Sequence, residues 1–172
     1  MVTNGERQVP QPVETQNTES LFSKTEKEFS RGMENLVRQS MSEYPAAANF
    51  VTAQMSRALT VPERASVART SLVVYKEMVE NPPEKDEWFR EEGGSSVSLG
   101  VYIRVEEDDP KWRGENNNTI YDQVLKLEEY NPKLARYIIG CMNESVNVES
   151  ASLVGKTSVI LHDAMRYYME FS

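Results

Sequence analysis

One stretch of the chain, residues 96–105, constrains the fold more than any other, because apolar and mainly polar residues alternate through it. The apolar positions are Val97, Leu99, Val101, Ile103 and Val105, and Ser96, Ser98, Gly100, Tyr102 and Arg104 stand between them. Successive side chains on a β-strand point to opposite faces, so the alternation predicts a strand with one apolar face. A strand cannot satisfy its backbone N–H and C=O groups alone, and the prediction therefore requires a second strand.

The one candidate for that second strand inside the chain is the segment 145–154, where Val146 and Val148 alternate with polar residues. The pattern predicts a short strand there. Otherwise the strand at 96–105 pairs with another molecule, across an interface that belongs to the function.

Helical spacing dominates the sequence before the predicted strand. The first series of apolar residues, mostly three, four or seven apart, is Phe22, Phe29, Met33, Leu36, Val37 and Met41. It predicts an amphipathic helix that Ser23 and Glu26 cap at its start. Pro45 interrupts this helix and opens the next one, because proline suits the first turn.

A third helix is predicted to begin at Thr60. The Thr60 side chain can cap it, and Glu63, three residues on, can return a hydrogen bond to the Thr60 backbone. A seam of apolar residues then follows in steps of four and three, made of Val61, Ala65, Ala68, Leu72, Tyr75 and Val79. This spacing predicts a core-facing helix, which ends at Asn81-Pro82-Pro83. The three helices together predict an antiparallel bundle with short connections.

Helical patterns also follow the predicted strand. Asn118 or Thr119 can cap one helix, and Asn131 can cap another that has Pro132 in its first turn. A last helix is predicted over 157–171, because its apolar residues and the adjacent Asp and Arg suit a helix better than a strand.

The predicted fold class is therefore mainly α (α+β), a helical bundle-like domain with one clear strand. Residues 1–19 are polar and almost free of apolar residues, which predicts a disordered N-terminal tail. Residues 20–172 are predicted to form a single domain, whose length suits one hydrophobic core. Its parts are a helical half at 20–81, the strand and an acidic loop at 84–117, and a helical half at 118–172.

Composition limits the classes of partner. The chain has 27 acidic and 19 basic residues and a net charge of −8, so we do not expect it to bind nucleic acid directly. Cys141 is the only cysteine and His162 the only histidine, which excludes an intramolecular disulfide and a Cys/His zinc site within one chain. No apolar run of about 18 residues and no apolar leader core is present, so we expect no membrane partner and a cytoplasmic location.

Motifs for catalysis are absent from the sequence. Gly155-Lys156-Thr157 matches the last three residues of a phosphate-binding loop motif. That motif also requires Gly at position 150, where this chain has Ser, so a helix start at Thr157 is the simpler interpretation. Cys141 lies in an apolar helical series and is interpreted as a core residue. No nucleophile motif accompanies His162. We predict no catalytic residue, no cofactor and no metal site.

Seven residues are candidates for an interface with a protein partner or a second copy of the chain: Tyr102, Arg104, Glu106, Glu107, Asp108, Asp109 and Trp112. Two lie on the polar face of the predicted strand, four form the acidic run after it, and Trp112 is an aromatic residue in a polar loop. Tryptophan, tyrosine and arginine are the usual anchors of interfaces.

These observations favour a non-enzymatic protein–protein interaction or assembly protein, a scaffold or an adaptor, that self-associates by strand pairing or helix packing. The first alternative is an acidic inhibitor that masks a basic nucleic-acid-binding or enzyme surface, suggested by the net charge and the acidic run. The second is an enzyme that uses carboxylates such as Glu106 or Asp109 in a cleft assembled from distant segments.

Overall fold

A computed structural model describes residues 18–88, 97–114 and 116–171, and in these ranges the chain is helical with no β-strand. The helices given for the described part of the chain are α1 Lys24–Ser40, α2 Pro45–Met55, α3 Val61–Glu80, α4 Leu99–Glu107, α5 Asn117–Lys126, α6 Pro132–Asn143 and α7 Val148–Phe171. Short 3-10 helices occupy Thr18–Leu21, Pro110–Trp112 and Leu127–Glu129. The helical part of the predicted fold class is confirmed. The predicted tail lies outside the described residues except for Thr18 and Glu19.

The strand predicted at 96–105 is wrong, because residues 99–105 belong to α4, and Ser96 lies outside the described residues. Ser98 caps the helix by accepting a hydrogen bond from the backbone N–H of Val101 at 3.4 Å. An alternating apolar run also contains residues four apart, and Leu99 and Ile103 form such a pair on the buried side of α4. Val105, by contrast, is 59% exposed. A helix satisfies its own backbone hydrogen bonds, so no partner strand is needed.

The second strand predicted near 145–154 is also wrong, because α7 begins at Val148, with Asn147 accepting a hydrogen bond from the backbone N–H of Ser150 at 2.8 Å. The helix predicted to start at Thr157 therefore starts nine residues earlier. Six consecutive residues of α7, 157–162, are buried, so the middle of this helix is surrounded on all sides. Five other helices, α2 to α6, pack against it.

Gly155 lies in the first half of α7, where residues of α5 and α6 contact it. A Cβ atom at this position would lie 2.7 Å from Cγ2 of Ile120 and 2.8 Å from Sδ of Met142. Gly155 therefore serves helix packing, and the phosphate-loop pattern of the sequence has no counterpart in the fold.

Local signals at the helix starts are confirmed or shifted by a few residues. Ser23 and Glu26 form the predicted reciprocal cap of α1. Thr60 caps α3, but the Glu63 carboxylate accepts from the backbone N–H of Leu59 rather than from that of Thr60. The cap of α5 is Asn116, which lies two residues before the predicted Asn118.

Helices α1, α2 and α3 pack on one another as a three-helix unit, in which α1 and α3 point in the same direction. Arg64, near the start of α3, donates to Oγ of Ser30 in the first half of α1 at 2.7 Å. Ser40, at the end of α1, lines a pocket with Leu72 and Val79 in the second half of α3. No helix in the described ranges combines the length and apolar character that crossing a membrane requires.

Candidate interaction surface

The seven predicted interface residues all lie on α4 or on the turn that follows it. Arg104, Glu107 and Asp108 are exposed, whereas Glu106 and Trp112 are buried. Tyr102 is half-buried, and its ring stacks on that of Tyr167 with centroids 6.5 Å apart. Four of the seven are therefore partly or fully enclosed by the chain itself: Tyr102, Glu106, Asp109 and Trp112.

A buried charge cluster, made of Glu106, Lys111, Asp163 and His162, joins the turn after α4 to α7. The Lys111 ammonium lies 3.0 Å from Oε1 of Glu106 and 3.5 Å from Oδ2 of Asp163. The indole N–H of Trp112 donates to the backbone carbonyl of Glu106 at 2.9 Å. The acidic run is therefore not one free patch, since Glu106 is bound to Lys111.

Burial sets the protonation behaviour of the charge cluster. It raises the pKa of Glu106, and the hydrogen bond from Lys111 offsets that effect only in part. Burial alone would lower the pKa of Lys111, but the hydrogen bond to Glu106 and the charge of Asp163 outweigh it and raise that pKa. Lys111 therefore stays protonated at neutral pH and holds the two carboxylates together.

His162 is the inner member of the charge cluster. Its Nδ1 lies 2.8 Å from Oδ1 of Asp163, and its side chain is 2% exposed. A pocket of about 320 Å³ opens beside the cluster, with Lys111, Tyr130 and Asp163 among its lining residues, but His162 does not line it. Of this pair, only the Asp163 carboxylate reaches the pocket, and the His162 ring is enclosed by the chain. Among the described residues, no group of His, Cys, Asp and Glu side chains has the arrangement of a metal site.

A different region, the α1–α3 surface, leaves apolar side chains outside the core. We define it by Phe29, Leu36 and Ser40 on α1 and by Leu72 and Val79 on α3. Phe29 is 57% exposed, Leu36 is 52% exposed and Val79 is 38% exposed. A mainly apolar groove of about 330 Å³ lies between the two helices, lined by Ser40, Leu72, Tyr75, Lys76, Val79 and Glu80.

Helix geometry explains why these side chains stay outside. The buried side of α1 is centred on Ser30 and Val37, which are both fully buried. Phe29 and Leu36 each precede one of these residues, so they are rotated by about 100° toward the flank beside α3. The sequence spacing predicts Phe29 and Leu36 on the same helical face as Val37, and it does not predict this surface. The sequence does contain a sign of this surface, because the apolar residues of α1 span more of the helix circumference than one buried face can cover.

Charge is also distributed unevenly over the molecule. Helix α1 has four basic and three acidic residues, and α3 has three of each. These two helices are therefore close to neutral, although the whole chain has a net charge of −8. Another molecule of the same charge meets less repulsion at the α1–α3 surface than at the rest of the chain.

Comparisons with known proteins identify no matching family model, no similar curated protein and no similar solved structure.

Proposed function

We propose that this protein is a non-enzymatic assembly protein that associates with a second copy of itself through the α1–α3 surface. The observation that carries the proposal is the exposure of Phe29 and Leu36 on the flank of α1 that also borders an apolar groove, on a helix whose core-facing side is already filled. Exposed apolar side chains that cluster next to a groove are typical of interaction sites.

The spacing of residues along this flank of α1 suits packing between helices. Phe29, Met33, Leu36 and Ser40 follow one another in steps of four, three and four, which is the spacing of a coiled-coil seam. Complete burial of a Phe or Leu side chain is worth about 1.5–3 kcal/mol relative to exposure. In a symmetric dimer each such residue is buried twice, which offsets the entropy lost on association.

A second copy is favoured over a basic partner by the location of charge. A basic partner would choose an acidic surface, but α1 and α3 together are nearly neutral. The exposed acid Glu107 ends α4 and the exposed acid Asp108 follows it, and Glu106 beside them is neutralised within the chain by Lys111. The hypothesis of an acidic inhibitor therefore has less support than self-association.

Sedimentation equilibrium tests the proposal, over about 1 to 300 μM, where modest interfaces of this kind associate. We expect a monomer–dimer equilibrium for the native chain. Leu36→Glu should weaken the dimer at least about 100-fold, because it places a charge in an apolar interface.

Val105→Glu is the matched control, because Val105 is an equally exposed apolar residue on α4, outside the α1–α3 surface. It should leave the dimer unchanged. A native chain that stays monomeric over the whole range would contradict the proposal. Equal weakening by Val105→Glu would contradict the choice of surface.

A further inference from the structure

We infer that the two copies pair antiparallel about a two-fold axis, with Phe29 of each copy inserted into the groove of the other at Ser40, Leu72 and Val79. This inference rests on the proposed self-association and assigns its geometry. It is carried by three features of the α1–α3 surface: a projecting ring, a recess, and an exposed glycine between them.

The projecting ring and the recess lie on the same flank of α1, at opposite ends. Phe29 is 57% exposed in the first half of the helix, and the groove is bounded by Ser40 at its last residue. Their separation of eleven positions corresponds to about 16 Å along the helix axis.

A two-fold axis perpendicular to α1, midway between Phe29 and Ser40, exchanges these two positions. Each ring then meets the groove of the other copy, and the surface is self-complementary as a symmetric dimer requires. In a parallel dimer the two Phe29 rings would lie at the same height, as would the two grooves, and both recesses would stay empty.

Gly32 supports a close approach of a second helix near that axis. It lies in the interior of α1 and is exposed, and a Cβ atom built on it would have no neighbour within 4 Å. A glycine in the middle of a helix costs about 0.5–1 kcal/mol relative to alanine, and no contact inside this chain requires it. A partner helix that packs over Gly32 supplies a physical reason for it.

Distances between spin labels on the dimer test the orientation. Lys24 and Asn35 are both exposed, and they lie about three turns apart on the same side of α1, away from the groove. Each is replaced by cysteine in a Cys141→Ala chain and labelled. In the antiparallel dimer the Lys24 labels are offset by about 30 Å along the helices, whereas the Asn35 labels lie at nearly the same height, so the distance between the Lys24 labels is much the longer one.

A parallel dimer would instead give similar distances for the labels at 24 and 35. That result would overturn the inference and leave self-association intact. A monomer in the same experiment would mean that the proposed function itself fails.

A double-mutant cycle tests the contact between the ring and the groove. Phe29→Ala should weaken the dimer about 10-fold or more by removing the ring, and Ser40→Trp should weaken it similarly by filling the groove. The two effects should be non-additive, because both changes act on one contact. Strict additivity, or a native dissociation constant for Ser40→Trp, would overturn the insertion of Phe29. The circular dichroism of each variant controls for folding.

Discussion

The α1–α3 surface and the charge cluster differ in which kind of side chain the fold exposes and which kind it buries. In the first, Phe29 and Leu36 remain exposed although they are apolar. In the second, Glu106 is buried although it is charged, and Lys111 makes its burial tolerable. The charged residues after α4 are thus used to hold this chain together, whereas the apolar residues of α1 are left available to another molecule.

The difference indicates where changes should affect folding and where they should affect assembly. Loss of a partner inside the charge cluster leaves a buried charge uncompensated, which destabilises the fold. Loss of an exposed apolar side chain on α1 removes little from the fold. Stability and association are therefore expected to respond to different residues.

The largest effect on folding is expected from Lys111→Ala, which leaves the Glu106 and Asp163 carboxylates facing each other without a cation. We expect the free energy of unfolding to fall by about 2–4 kcal/mol, because one partner of a largely buried pair is removed. Urea denaturation in a Leu36→Glu background measures this without a contribution from association. The matched control is Lys133→Ala, at an exposed position on α6. Equal stability of the two variants would show that the cluster does not hold the fold.

Gly155→Ala is expected to lower the free energy of unfolding by a smaller amount, because the new Cβ would collide with Ile120 and Met142. The Met142 side chain can move, but the β-branched Ile120 is stiff, so we expect a loss of about 1–3 kcal/mol. The control is Gly140→Ala on α6, where nothing lies within 4 Å of the new atom. Gly140→Ala should stabilise the chain by about 0.5–1 kcal/mol. If urea denaturation shows that both variants change the free energy of unfolding in the same direction, the close packing at Gly155 is contradicted.

The smallest expected effect is a dependence of the free energy of unfolding on pH, caused by the titration of Glu106. Burial raises its pKa above the ordinary value of 4.5, so the folded chain binds this proton more tightly than the unfolded chain. The contribution of Glu106 to stability must then decrease as pH rises above 4.5 and through the raised pKa. The free energy of unfolding of the native chain minus that of Glu106→Gln should decrease over this window. A difference that stays constant or increases with pH would contradict the effect of burial.

Most of the helices could be predicted from the sequence, because their caps and spacing are local. The pairing of Ser23 with Glu26 and the position of Pro45 need no knowledge of the rest of the chain. The error at 96–105 arose because five alternating apolar residues fit a strand and also contain the helical spacing of Leu99 and Ile103. The packing of α2 and α7 against this segment, which is not visible in its own spacing, favours the helix.

The surfaces were less predictable than the helices. Trp112 was expected as a candidate anchor, but its indole is buried against the backbone of Glu106, a contact between residues six apart that depends on the turn. The pairing of Lys111 with Asp163 joins residues 52 apart and has no local signal. The exposure of Phe29 and Leu36 depends on how α1 is rotated against α3, which the spacing along α1 alone does not determine.

Hydrogen exchange measured at two chain concentrations compares the two regions in one experiment. Association protects the amides of a buried interface, so exchange in α1 and in the second half of α3 should slow when the concentration is raised above the dissociation constant. Exchange in α4, around the exposed Val105, should not change. Exchange in α1 that is independent of concentration, or slowing centred on α4, would contradict assembly through the α1–α3 surface.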